Sequence, residues 1–143
     1  MRIAPRIGRF VIAFLLLLPP VALGTSFDGA YTGTLACPAF PGQEPLRAEI
    51  AVNVAGPNAR YEQIATPGAA AAGDLGADEA GSGRVAPSGD IVLTGGCRGG
   101  FSCATEYRGN LSTAPIRLKG GQRWWFRSGE RERTCDVELK RSK

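Results

Sequence analysis

Apolar and polar residues alternate with a period of two along much of the chain. Within residues 46–55, apolar side chains occupy every second position, and charged or polar side chains fill most of the positions between them. Alternation over this length predicts a β-strand with one buried face. The same pattern predicts strands within 31–37, 106–112 and 134–140.

Four shorter segments complete the set of predicted strands. They are Arg60–Ile64, Gly83–Ala86, Asp90–Thr94 and Ile116–Phe126. In the last segment, Gly120-Gly121 is the position at which an interruption of the strand is expected, if there is one. The sequence Pro87-Ser88-Gly89-Asp90 separates two of the segments and predicts the turn of a hairpin.

Residues 65–83 show neither the two-residue period of a strand nor the 3.6-residue period of an amphipathic helix. Ala or Gly occupies 12 of these 19 positions, so the stretch has few large side chains to bury, and its glycines interrupt any helix. We expect a long mobile loop with at most one short helical turn. It is not a domain boundary, because neither flanking group of strands can bury a core alone.

About eight short strands joined by turns predict a single all-β domain over residues 25–143. An antiparallel meander that closes into a barrel has no exposed sheet edges. We therefore predict an up-and-down barrel of about eight strands, and a two-sheet β-sandwich is the alternative.

The first 24 residues have the pattern of a secretory signal peptide. Arginines at positions 2, 6 and 9 precede the apolar segment Phe10–Leu18, and small residues follow up to Gly24. This pattern predicts cleavage after Gly24 and a periplasmic or secreted protein. The apolar segment is far shorter than the ~20 residues that span a bilayer. No second apolar run follows, so we expect no membrane anchor after cleavage.

Removal of the signal peptide changes the charge balance. The remaining chain has 14 basic and 13 acidic side chains, distributed unevenly. Residues 117–143 carry nine basic and four acidic side chains, whereas residues 25–116 carry five and nine. This asymmetry predicts a basic face near the C-terminus. It does not indicate a nucleic-acid binder, which needs many phosphate contacts.

Four cysteines in a small exported domain predict two disulfides, for which three pairings exist. Cys37 and Cys135 are each in phase with the apolar face of the first and last strands, which are neighbours in a closed meander. We therefore expect Cys37 to pair with Cys135 and Cys97 with Cys103.

The residues needed for common catalytic and metal sites are missing. Without histidine, neither a Ser-His-Asp nor a Cys-His arrangement is possible, and the spacing of Cys97 and Cys103 does not fit zinc. The carboxylate pairs Glu130/Glu132 and Asp78/Glu79 lie in runs typical of solvated loops. We expect a protein that is not an enzyme and has no metal or cofactor.

The segment GGQRWWFRSGERER, residues 120–133, is the richest candidate for binding. If residues 122–127 form a strand, Trp124 and Phe126 share one face, and Arg123, Trp125 and Arg127 share the other. In the structural interpretation, the arginine stems cover Trp125. In the functional one, an exposed aromatic ring between guanidinium groups stacks on a sugar or meets an anionic polymer.

Two functional hypotheses follow. The first is a binding module that recognises an envelope component, such as an anionic glycan, or a small ligand through this basic and aromatic hairpin. The second is an interaction protein, such as an inhibitor of an exported enzyme, that presents Arg98 and Phe101 on the loop between Cys97 and Cys103. A cavity inside the barrel favours the first, and a filled core with a protruding loop favours the second.

The stretch FDGAYTGTLAC, Phe27–Cys37, resembles the opening F-D-G-x-[WY]-x-G-x-[LI]-x-C of small exported bacterial proteins. Such proteins also carry a G-x-V…G-x-I-x-L-x-G hairpin, matched at Gly83–Gly95, and a final C-x-V-x-L strand, matched at Cys135–Leu139. The shared residues are structural. The resemblance implies a β fold and a periplasmic setting, and it transfers no functional site.

Overall fold

The computed structural model describes residues 26–42, 44–64, 79–98 and 102–143. They form a closed antiparallel barrel in which each strand pairs with the next and β8 pairs with β1. The strands are β1 (Gly29–Cys37), β2 (Leu46–Ala55), β3 (Asn58–Ile64), β4 (Glu79–Val85), β5 (Asp90–Cys97), β6 (Cys103–Asn110), β7 (Ile116–Phe126) and β8 (Gly129–Arg141). The prediction of an eight-stranded up-and-down barrel is confirmed, and the sandwich is excluded.

Strand boundaries differ from the predictions mainly where glycine is frequent. β7 runs without a break through Gly120 and Gly121, and β4 begins at Glu79, so the last five residues of the predicted loop 65–83 are strand. Pairing with β3 on one side and β5 on the other holds β4 extended despite its low strand propensity. The rest of that loop and the predicted signal peptide lie outside the described residues.

Inward-facing side chains at alternate strand positions fill the barrel. They form one core cluster that receives residues from every strand. Its fully buried members include Leu35, Val52, Leu93, Tyr107 and Leu118. The period-two pattern of the sequence therefore corresponds to the inner and outer faces of one wall.

Glycines on the inner face allow strands to approach closely. A Cβ atom added at Gly33 would collide with the backbone carbonyl of Glu138 across the β1–β8 pairing. One added at Gly120 would collide with the carbonyl of Glu106 across the β6–β7 pairing. Glycine is required at these positions because the backbone of the neighbouring strand occupies the space that a side chain would need.

The two ends of the barrel have connections of different length. We call one the turn end, where residues 56–57, 86–89 and 111–115 join the strands. Gly56 and Gly89 adopt positive φ in these turns, a conformation that favours glycine. The opposite end, which we call the loop end, carries the connections 38–45, 65–78, 98–102 and 127–128.

Both disulfides predicted from strand phase are present. Cys37 at the end of β1 is bonded to Cys135 in β8, so this bond crosses the pairing that closes the barrel. Cys97 at the end of β5 is bonded to Cys103 at the start of β6. Each bond lies toward the loop end.

Candidate functional site

A group of buried polar side chains occupies the barrel interior toward the loop end. Its members come from β3, β4, β6, β7 and β8, and each is at most 7% exposed. We call this group the interior polar cluster: Tyr61, Gln63, Glu79, Thr105, Tyr107, Gln122 and Arg133. Because buried polar atoms need hydrogen-bond partners, its contacts decide what the cluster can do.

Glu79 is the acceptor at the centre of the interior polar cluster. Its side chain is fully buried. One carboxylate oxygen accepts a hydrogen bond from the Tyr107 hydroxyl at 2.8 Å, and the other accepts one from the Gln122 amide nitrogen at 2.7 Å. The expectation that Glu79 lies in a solvated loop is wrong, because it is the first residue of β4 and its side chain points into the barrel.

Burial raises the pKa of Glu79, and the two hydrogen bonds and the charge of Arg133 oppose that rise. Burial also raises the pKa of Tyr61 and of Tyr107, and the charge of Glu79 raises both further. The two tyrosines therefore stay protonated, so the Tyr107 hydroxyl can donate to Glu79.

Arg133 connects the interior polar cluster to the β1–β2 connection. Its Nε donates to the Gln122 side-chain oxygen at 2.8 Å, and one terminal nitrogen donates to the Pro38 carbonyl at 3.3 Å. Its guanidinium carbon lies 4.7 Å from the centre of the Phe40 ring, which is buried. This cation–π contact helps to hold the connection against the loop end.

The position of Tyr61 depends on two glycines. A Cβ atom added at Gly81 would come within 2.6 Å of the Tyr61 ring, and one at Gly95 within 2.5 Å of its hydroxyl. The Tyr61 hydroxyl makes a hydrogen bond with Thr105, and its ring packs edge-to-face on that of Tyr107 at 6.0 Å. Inward glycines beside a buried aromatic residue were a signal for this cluster that sequence reasoning missed.

The interior polar cluster is enclosed, so it presents no binding surface in this conformation. One buried atom in it, the Gln63 side-chain oxygen, has no hydrogen-bond partner among the described residues. Trp124 adds to the enclosure: it is 2% exposed, donates to the Gln122 oxygen at 3.2 Å, and stacks on Phe126. The candidate binding surface therefore lies on the outside of the barrel.

A groove of about 740 Å³ crosses the outer wall over β5 to β8. We call it the outer groove and define it by six of its lining residues: Thr94, Ala104, Gly121, Arg123, Trp125 and Thr134. Gly121 lies on β7 two positions before Arg123 and four before Trp125, on the same face of the strand. Since glycine has no side chain, nothing protrudes from the outer face of β7 at Gly121, whereas the indole protrudes at Trp125.

The structure brings two of the predicted binding residues together in the outer groove. Trp125 is 45% exposed, and Arg123 lines the same groove. The predicted division of faces is confirmed for Trp124, which is buried. It is wrong for Arg127, because β7 ends at Phe126 and Arg127 lies in the following turn.

Carboxylates neutralise the basic side chains around the outer groove. Arg123 forms ion pairs with Glu132 and with Glu130, the latter at 3.0 Å. Arg108, on the adjacent strand β6, pairs with Glu106 at 2.7 Å. Around the outer groove the predicted basic face is therefore locally neutral, because β8 supplies Glu130 and Glu132 as partners of Arg123 of β7.

Two other predicted binding residues, Arg98 and Arg127, are not among the residues that line this groove. Arg98 follows β5 and forms an ion pair at 3.8 Å with Glu62 of β3, which directs it away from β7. Phe101 lies outside the described residues. The structure therefore supports a role for Arg98 in a contact between β3 and the connection 98–102.

Asn110 has a structural role at the turn end. Its amide nitrogen donates to the Asp90 carboxylate at 2.8 Å and to the Ser88 carbonyl at 3.3 Å. Its oxygen accepts from the Ser112 backbone at 2.7 Å. These bonds tie the β4–β5 turn to the β6–β7 turn.

Comparison with models of protein families and with curated proteins finds no match for this chain. Function must therefore be inferred from the residues themselves. The two disulfides are consistent with an oxidising extracellular compartment. Among the described residues, no helix has the length and apolar character that crossing a membrane requires.

Proposed function

We propose that the chain is a non-catalytic binding module that works in the periplasm or outside the cell after cleavage of its signal peptide. Its binding surface is the outer groove, through which it recognises an envelope component or a small ligand. The observation that carries this proposal is the exposed indole of Trp125, which lines the outer groove on the same face of β7 as Arg123 and Gly121. Trp is enriched among residues that dominate binding energy.

The filled interior of the barrel favours a ligand site on the outer wall. The interior is filled by the core cluster and the interior polar cluster, so a ligand inside the barrel would have to displace buried side chains. The outer groove has a volume within the range of small-ligand sites, about 300–1,000 Å³.

The proposed absence of catalysis has two supports. The sequence lacks histidine, the commonest general base. Glu79, the one carboxylate with a raised pKa among the described residues, is enclosed in the barrel and bonded to Tyr107 and Gln122. A substrate on the outer groove does not reach it.

The proposal is tested by titrating the mature protein with peptidoglycan fragments, neutral oligosaccharides and anionic glycans while the heat of binding is recorded by isothermal titration calorimetry. We expect at least one class to bind, and Trp125→Ala to weaken that binding by about tenfold. Ile64→Ala is the matched control, because Ile64 is 46% exposed but lies outside the outer groove. Equal affinities for wild type and Trp125→Ala would contradict the proposal.

A second candidate function is that of an inhibitor of an exported enzyme. Two observations favour it: the filled barrel interior, and the disulfide between Cys97 and Cys103, which closes a short ring at the loop end. A closed ring loses little conformational entropy on binding. Assays against exported proteases should then show inhibition that falls about tenfold in the Cys97→Ser/Cys103→Ser protein, and inhibition by neither protein would exclude this function.

A further inference from the structure

We infer that the outer groove binds an uncharged saccharide chain. This inference rests on the proposed function and specifies its ligand. It follows from three properties of the groove: an exposed indole on the outer strand face, a floor of small residues, and charged side chains that already pair with one another.

The backbone of Trp125 is fixed in the sheet, which places the indole on the outer face of β7. The Trp125 N–H donates to the Ser102 carbonyl at 3.1 Å, which continues the pairing of β6 with β7 beyond Cys103. Across β7 and β8, Trp125 pairs with Glu130. A pyranose ring has an apolar face of C–H groups and hydroxyls around its edge. A flat, rigid indole matches that face, while neighbouring polar groups meet the hydroxyls.

Small side chains keep the groove open across several strands. Gly121 pairs with Glu106 on one side and with Thr134 on the other. A Cβ atom at Gly121 would lie 3.1 Å from the Arg133 carbonyl, so a side chain there would require that carbonyl to shift by a few tenths of an ångström. Thr94 and Thr134 add hydroxyl groups, which both donate and accept hydrogen bonds. A linear polar chain can therefore lie across the strands.

The charges around the groove disfavour an anionic ligand. The two arginines that pair there, Arg108 and Arg123, face three carboxylates, those of Glu106, Glu130 and Glu132. An anionic glycan would have to compete with these carboxylates for the two arginines, and the groove offers it no excess of positive charge. A neutral sugar leaves the ion pairs in place.

The same ion pairs suit hydroxyl groups. A guanidinium group has five N–H donors, and a carboxylate has several acceptor sites, so paired Arg123 and Glu132 retain capacity for further bonds. Donors and acceptors side by side match a diol, whose hydroxyls act as both. The outer groove thus combines a stacking surface with a mixed polar edge, and neither part requires a charged ligand.

The test uses pairs of glycans that share a backbone but differ in charge: cellohexaose with carboxymethyl cellulose, N-acetylchitohexaose with chitosan oligosaccharide, and dextran with dextran sulfate. Affinities are measured by calorimetry for the mature wild type, Trp125→Ala and the control Ile64→Ala. We expect the uncharged member of at least one pair to bind about tenfold more tightly than its charged partner. We expect Trp125→Ala to lower the affinity for that uncharged glycan about tenfold. Affinity should change less than about twofold between roughly 50 and 500 mM NaCl, because no charged ligand is screened.

The outcomes separate the inference from the proposal on which it rests. If a charged glycan binds more tightly, in a salt-sensitive way that needs Trp125, the inference of an uncharged ligand is overturned. The proposal of a binding module is not affected by that result. If neither these glycans nor the peptidoglycan fragments bind through Trp125, both fall. Binding of a neutral glycan that Trp125→Ala does not weaken would place the site elsewhere and also overturn the inference.

Discussion

The loop end and the turn end of the barrel interior are built in different ways. At the turn end, short connections join strands whose inward side chains are apolar, such as Val54, Ile91 and Leu139. At the loop end, two of the four connections, 38–45 and 65–78, are longer than any at the turn end, and the interior holds the polar cluster and both disulfides. The comparison shows that this barrel uses different stabilising interactions where the chain itself constrains the strands less.

A short turn holds its two strands by chain connectivity and local hydrogen bonds. At the turn end, Gly89 donates to the Ala86 carbonyl at 2.9 Å, and Leu111 donates to the Gly89 carbonyl at 2.8 Å. Longer connections restrict strand ends less, because closure entropy grows with loop length. Covalent bonds and the interior polar cluster link neighbouring strands at the loop end instead.

The largest predicted effect is the loss of the bond between Cys37 and Cys135. These residues are 98 positions apart, so the bond restricts the unfolded chain strongly. We expect Cys37→Ala/Cys135→Ala to lower the free energy of unfolding by about 4–5 kcal/mol in the chain-entropy model. Urea titration followed by circular dichroism measures the difference.

The matched control for that experiment is Cys97→Ala/Cys103→Ala. This pair is separated by six positions, and in the same model its loss costs roughly 2 kcal/mol. If both double variants lose the same stability, loop length does not decide the contribution of each bond.

The next largest effect concerns Glu79. In Glu79→Leu, the buried hydroxyl of Tyr107 and the amide of Gln122 lose their acceptor, and Arg133 loses a nearby negative charge. We expect a loss of about 3 kcal/mol in urea unfolding. Glu79→Gln keeps an acceptor for Gln122 and is expected to cost about half as much. A Glu79→Leu protein as stable as wild type would show that the cluster does not stabilise the loop end.

The two ends should respond to pH in opposite directions. The pKa of Glu79 is raised by burial, so between the ordinary carboxyl pKa and the raised one the folded state binds more protons than the unfolded state. The contribution of this pKa shift to the free energy of unfolding is present at low pH and is lost as pH rises. The pKa of Asp90, at the turn end, is lowered by hydrogen bonds from Ser88 and Asn110. Its stability is present above the ordinary pKa and is lost as pH falls.

Unfolding of wild type, Glu79→Gln and Asp90→Asn over a range of pH separates these contributions. The stability of wild type relative to Glu79→Gln should fall as pH rises, and its stability relative to Asp90→Asn should rise. The same slope for both variants would contradict the opposite pKa shifts of Glu79 and Asp90.

The smallest effect is expected for Asn110→Ala at the turn end. The variant loses bonds to Asp90, Ser88 and Ser112, but their partners remain accessible to water. We expect a loss of about 1 kcal/mol, measured as a shift of the urea midpoint. A loss as large as that of Glu79→Leu would show that enclosure is not what separates the two ends.

The strand pattern could be predicted from local sequence because each strand has one inner and one outer face. β2 has the predicted bounds, and the pairing of Cys37 with Cys135 followed from their phase on the terminal strands. The division between Trp124 and Trp125 followed from the same alternation. For the candidate site, this was enough to place Arg123 and Trp125 on the outer wall.

Contacts between distant segments could not be predicted in this way. Glu79 lies in an Ala- and Gly-rich stretch, and its burial depends on Tyr107 and Gln122, which follow it by 28 and 43 positions. The neutral character of the outer groove depends on the register that sets Arg123 opposite Glu132.

By itself, the sequence indicated about eight strands and their phase, since alternation is a property of each strand alone. The closed barrel and the cysteine pairing were expectations that depend on contacts between distant strands, and the structure confirmed both. Only the tertiary structure decided where charges are buried or neutralised, because an electrostatic interaction depends on distance in space and on exposure to water. Glu79 and Arg123 show the difference. Glu79 belongs to a run that is typical of a solvated loop, yet its side chain lies at the centre of the interior polar cluster. Arg123 belongs to a basic segment, yet carboxylates of the next strand neutralise its charge.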